Sequence, residues 1–170
     1  TSQYAGTKVT LIYRRDTEER TVELTRREID IPTISTTMLE NVAYLRFSSI
    51  TNNTSQHLEA AIRQASQNGA TALIFDIRGI ESDNVTVIGN MLDILLGKMT
   101  TIYQEDASGI SQELMSSDES EVELPMVVLT DNTTAGTTEL FAQALRDTGK
   151  ARTVGETTFG KGTQQSFYKL

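Results

Sequence analysis

Cysteine is absent from all 170 residues, which removes disulfides, thiol catalysis and thiolate metal sites together. His57 is the single histidine, so a metal centre built on several imidazoles is not expected. A Ser-His-Asp triad would have to recruit the same residue. No apolar run approaches the roughly 20 residues needed to cross a bilayer, and the first residues do not read as a signal peptide. A longer anchored or exported parent is compatible with both observations. Basic residues are the minority, 15 against 23 acidic ones, for a formal charge of −8. Phosphate neutralisation needs clustered Lys and Arg, so nucleic acid is not an expected partner.

What is present suffices for one good core and a small appendage, at 38% hydrophobic and 22% charged residues. In the first thirty residues Val9, Leu11 and Tyr13 alternate with polar neighbours, and Val22 and Leu24 do so after the Arg15-Asp16-Thr17-Glu18 turn. This period-two pattern predicts two strands, too few to be stable alone and therefore the end of a larger module. Residues 1–30 are accordingly set apart from residues 31–170, with Arg26-Arg27-Glu28 and Pro32 marking the junction.

From Asn41 the pattern becomes strand, helix, strand, helix. Val42 to Phe47 has strand composition. Asn53-Thr54-Ser55-Gln56 opens a helix with Leu58, Ala61, Ile62 and Ala65 on one face, and His57 sits off that stripe, which predicts a solvated position. Ala72 to Ile77 is an apolar strand, followed by a helix burying Val85, Ile88, Leu92 and Leu95 or Leu96. A strand near Thr100 to Gln104 leads into an acidic stretch containing Glu105, Asp106, Glu113, Asp118, Glu119, Glu121 and Glu123. Calcium loops need tighter acidic spacing with a Gly turn, so the stretch reads as a solvated hairpin or loop, with no metal or cofactor expected. Met126 to Thr130 is another buried strand, the helix bearing Leu140, Phe141, Ala144 and Leu145 follows, and Ala151 to Val154 returns as a strand. The expected fold is therefore α/β, an open and partly parallel sheet with crossover helices.

Functional groups in such a sheet gather where strands give way to helices. Three places qualify: Asp76 to Asp83, Asn132 to Glu139, and the Gly-flanked turn Phe159-Gly160-Lys161-Gly162, expected to precede a terminal strand. A lysine accepts protons only when its surroundings lower its pKa, and spacing alone favours a surface turn for Lys161. The Gly-rich stretch lacks phosphate-loop spacing and does not open a helix.

Four segments in order, Val42 to Phe47, Ala72 to Arg78, Leu124 to Leu129 and Val154 to Thr163, resemble the core of carboxy-terminal processing (tail-specific) peptidases. Thr158-Phe159-Gly160-Lys161-Gly162 is the most specific element of that likeness, which spans nearly the whole chain. The resemblance implies serine-type proteolysis by a Ser-Lys dyad, an inserted PDZ domain whose last strands are residues 1–30, extended protein C-terminal tails as partners, and an extracytoplasmic setting. It leaves self-association and membrane anchoring of a longer parent open. On it, Lys161 takes the general-base position. Counting back three from Glu139 puts Gly136, without a side chain, at the nucleophile position. Thr137 then supplies an oxyanion amide or, through its hydroxyl, a substitute nucleophile, although a one-residue helical step turns it roughly 100° away. The family's Asn-Asn-Pro-Gly-Gly oxyanion segment is here Gly79-Ile80-Glu81-Ser82-Asp83, so that Ser82 and Asp83 stand in the oxyanion segment and Glu81 and Asp83 are expected to oppose a forming oxyanion. Two readings follow: a silenced peptidase-like domain kept for binding or assembly, or an active serine/threonine-type endopeptidase using Lys161 as base.

Overall fold

The computed structural model describes residues 4–163. It divides into two compact units between Ile31 and Pro32. In the first, β1 (Lys8–Arg15) and β2 (Glu18–Thr25) pair antiparallel across an Asp16-Thr17 turn. Asp16 takes φ 56°, a left-handed conformation that Asp tolerates better than most residues. The register sets Val9 against Leu24 and Leu11 against Val22, and much of this apolar surface is exposed.

The second unit is built on a five-stranded sheet ordered β11-β9-β5-β4-β3. Here β3 is Ile34–Leu39, β4 Val42–Phe47, β5 Ala72–Asp76, β9 Met126–Thr130 and β11 Ala151–Gly155. Only the β3–β4 pair is antiparallel; the other three are parallel, as the crossover pattern requires. Helices α1 (Thr54–Gln67), α2 (Val85–Leu95) and α3 (Thr137–Asp147) supply the crossovers. The strand order advances in one direction, so right-handed connections put all three helices on one face, and α2 packs between α1 and α3.

Period two within each strand decides which side chains meet that helical layer. Ala43, Leu45 and Phe47 of β4, Leu73 and Phe75 of β5, and Met126 and Val128 of β9 are buried, while Tyr44, Ile74 and Leu129 face the more open side. The helices answer with Leu58, Ile62, Ile88, Leu92, Phe141 and Leu145. Phe47, Phe75 and Phe141 form an aromatic nucleus, with ring centroids 5.7 to 6.4 Å apart in tilted or edge-on geometries.

The acidic stretch folds as a hairpin, β7 (Met99–Glu105) with β8 (Ser111–Ser117), packed on α2. Met115 of β8 lies against Gly89 of α2, where even a methyl group would collide with it. Two short strands, β6 (Glu81–Ser82) and β10 (Ala135–Gly136), pair parallel beyond the main sheet. The strand expected after Gly162 lies outside the described residues. His57 is not the solvated residue its helical position suggests. It is half-buried, and its Nδ1 accepts from the Thr33 amide at 3.2 Å and lies 3.0 Å from the Thr33 hydroxyl, tying the start of α1 to the segment before β3.

Phe75 is fully buried and touches both other rings, so Phe75→Ala removes packing on two sides. It should cost about 3–5 kcal/mol by denaturant titration. A loss below about 1 kcal/mol would mean that the aromatic nucleus is not the centre of the core.

Candidate functional site

Three loops converge at the carboxyl ends of β5 and β9, and their positions follow from three carboxylates, one buried and two half-buried. Asp76, at the end of β5, has a fully buried side chain. It accepts from Arg78 Nε at 2.9 Å and Nη2 at 2.8 Å and from the Tyr44 hydroxyl, and Arg46 Nη1 pairs with it at 2.5 Å. Burial works against its ionisation, but the Arg78 and Tyr44 hydrogen bonds and the Arg46 charge outweigh it and hold the carboxyl far below the usual range. The same contact, aided by burial, pushes the Tyr44 phenol up. Asp76 thereby fixes the direction in which the chain leaves β5 toward Gly79.

Asp131 performs the next join. Its Oδ1 accepts from the amides of Gly79 (3.1 Å), Thr133 (3.0 Å) and Thr134 (2.9 Å) and from the Thr133 hydroxyl at 2.8 Å. One carboxylate thus locks the loop after β5 to the loop after β9. Burial opposes the charge, yet these donors keep the Asp131 carboxyl below its ordinary value. With those loops fixed, Ala135 donates its N–H to the Ile80 carbonyl at 3.1 Å, and Gly136 comes into register with Ser82.

Gly136 caps α3 with φ 69° and ψ −136°, a strained strand-to-helix turn of the sort that carries exposed nucleophiles in α/β-hydrolases. Here the place a Cβ would take is filled. It would stand 2.2 Å from the Ser82 carbonyl oxygen and 3.3 Å from Asp83 Oδ1. Ser82 therefore turns a carbonyl acceptor, rather than an amide donor, toward residue 136.

Glu139 completes the assembly from inside the first turn of α3. It accepts from the amides of Gly136 (2.9 Å), Gly160 (2.6 Å) and Lys161 (3.0 Å), and from the Thr158 hydroxyl. Burial alone would raise its pKa; the Thr158 hydroxyl and the three amides reverse that and lower it. The carboxylate also sits where the helix dipole favours negative charge. The Thr158 to Gly162 turn is held against α3 by this one side chain.

That turn delivers Lys161 to the site. Its Nζ donates to Asp83 Oδ1 at 2.8 Å and lies 3.4 Å from Glu81 Oε1. The Asp83 oxygen it meets is the one that stands 3.3 Å from the unused Cβ position on residue 136. The hydrogen bond to Asp83, with Glu81 adding to it, raises the amine above its ordinary value of 10.5. Glu81 and Asp83 are thus consumed by the lysine rather than standing unpaired. The Thr137 and Thr138 hydroxyls are buried without a hydrogen-bond partner, and neither bonds to Lys161. Sequence reasoning brought Gly136, Thr137, Ser82, Asp83 and Lys161 to one place. It missed Asp131, whose signal was the Asp-Asn-Thr-Thr run that favours side-chain bonding to nearby amides.

A tight turn at a helix start is thus joined by a glutamate to a Gly-Lys-Gly turn beside a parallel sheet. Residues 41–170 match the model of Peptidase family S41, and the chain belongs to that family. It is 31% identical over 164 residues to the carboxy-terminal processing protease CtpA of Bacillus subtilis, covering 95% of this chain and 35% of that protein. A carboxyl-terminal-processing protease of Synechocystis is 30% identical over 131 residues, covering 77% of this chain and 31% of the relative. Among solved structures, the photosystem II D1 C-terminal processing protease superposes with TM-score 0.69 at 24% identity, covering 92% of this chain and 45% of that one. The chain thus spans about a third of the curated relatives it matches.

The ionised form of Glu139 is favoured by folding, so its contribution is complete above the unfolded glutamate pKa and disappears as pH falls through the lower folded one. Glu139→Gln should cost about 1–3 kcal/mol at pH 7. The gap from wild type should narrow as pH drops below the ordinary glutamate value of 4.5, read by urea melts across a pH series. A gap independent of pH would show that the charge is irrelevant.

Proposed function

We propose that this chain is a peptidase-like domain without effective proteolytic activity, retained for holding extended polypeptide segments or for assembly. The observation that carries the reading is Gly136 at the nucleophile position with the Ser82 carbonyl packed into the space its side chain would need. An acyl transfer requires an attacking oxygen, and Gly supplies none; removal of a serine nucleophile costs on the order of 10⁶ in turnover. The Lys161 ammonium adds to this, because a lysine paired with Asp83 and raised in pKa is a poor proton acceptor at neutral pH. Carbonyl oxygens and carboxylates around residue 136 also repel a developing oxyanion.

The competing reading, an active endopeptidase with Thr137 as nucleophile and Lys161 as base, requires a hydroxyl–amine contact. The buried Thr137 hydroxyl makes no such bond. As part of the same proposal, residues 1–30 are the closing strands of a PDZ-like module, residues 31–170 are the peptidase-like core, and the parent protein acts outside the cytoplasm. The family's membership and the strand pairing of the hairpin support these assignments. Among the described residues no helix is long and apolar enough to cross a membrane.

Wild-type protein should neither digest casein nor take up a fluorophosphonate probe above the level of its Lys161→Ala variant. Gly136→Ser should recover little by itself, since its Cβ meets the Ser82 carbonyl. Lys161-dependent labelling of the wild type, or robust turnover by the single serine variant, would overturn the proposal.

A further inference from the structure

A groove of about 840 Å³ opens beside residue 136, between the β7–β8 hairpin, α3 and the β11 side of the sheet. Its charges are one-sided. Glu105 at the end of β7 and Glu156 just after β11 both line it, and among the described residues neither has a cation within ion-pair reach. Arg146, the lining cation, is 3.3 Å from Asp147 and donates to Gln143. Asp83 is occupied by Lys161.

A second observation is independent of charge: the surface suits a main chain. Thr153, Val154 and Gly155 of β11 line the groove, and β9 is the one strand paired with β11 among the described residues. Tyr103, 64% exposed, offers a ring face on the hairpin side.

We propose that this groove seats an extended peptide rich in Lys and Arg alternating with apolar residues. The peptide's backbone lies along β11, and its basic side chains meet Glu105, Glu156 and the Tyr103 ring. Strand addition gives affinity without regard to sequence, and alternate side chains give the choice of charge. Rim carboxylates select by complementarity and raise the on-rate of a cationic partner. A cation over a tyrosine face adds to the same preference. This deepens, and rests on, the peptide-holding reading above.

The test is an NMR titration of the 170-residue chain with three equal-length peptides that share apolar positions and carry Lys, Gln or Glu between them. The Lys peptide should bind about tenfold more tightly than the Glu peptide at low salt, and raising the salt should shrink the difference. The double variant Glu105→Gln/Glu156→Gln should weaken the Lys peptide by about three- to tenfold and leave the Gln peptide unchanged. Glu19→Gln/Glu59→Gln, with the same change in net charge elsewhere on the surface, should leave both unchanged. Equal binding of the three peptides overturns the charge selection while peptide holding stands. Binding of none overturns both, and cleavage of any peptide overturns the inactive reading alone.

Discussion

The Ser82 carbonyl pressed against the Cα of Gly136 is the contact from which the rest of the site follows. It exists because Asp131 fastens the loop after β5 to the loop after β9, which lets β6 and β10 pair in parallel register. At a separation of 2.2 Å from an ideal Cβ, no side chain fits without moving backbone. The turn into α3 is tight, and the space in front of it is filled by the Ser82 carbonyl. Glycine is the residue that this conformation and this contact both allow.

Charge in the same place is redistributed rather than merely lost. Asp76 is fully buried and multiply bonded, so it holds the fold together; the Lys161 pair with Asp83 and Glu81 is partly solvated and contributes little stability. Its consequence is chemical: by favouring the ammonium, it makes Lys161 a poorer proton acceptor. Glu139 meanwhile bonds to both the turn into α3 and the lysine turn, so one carboxylate ties the two together.

Period-two and helical patterning made β4, α1, β5, α2, β9, α3 and β11 legible, because each has one strongly apolar face. The strand β3 was not, since its centre is the polar run Ser35-Thr36-Thr37, only partly covered along an antiparallel edge. Neither β6 nor β10 could be found by periodicity, as each is two residues long and defined by its partner. At the site, residue identity drew attention to Gly136 and Lys161. The direction of the Ser82 carbonyl, the capture of Lys161 by Asp83 and the half-burial of His57 depend on contacts distant in sequence, which no local pattern encodes.

The most direct measurement is a titration of the Lys161 side chain, followed by NMR with labelled lysine and assigned with Lys161→Arg. The account predicts an amine that titrates above its ordinary value of 10.5 and falls back toward it in Asp83→Asn/Glu81→Gln. An amine that loses its proton near neutrality would be a working base, and the account of a silenced site would be wrong.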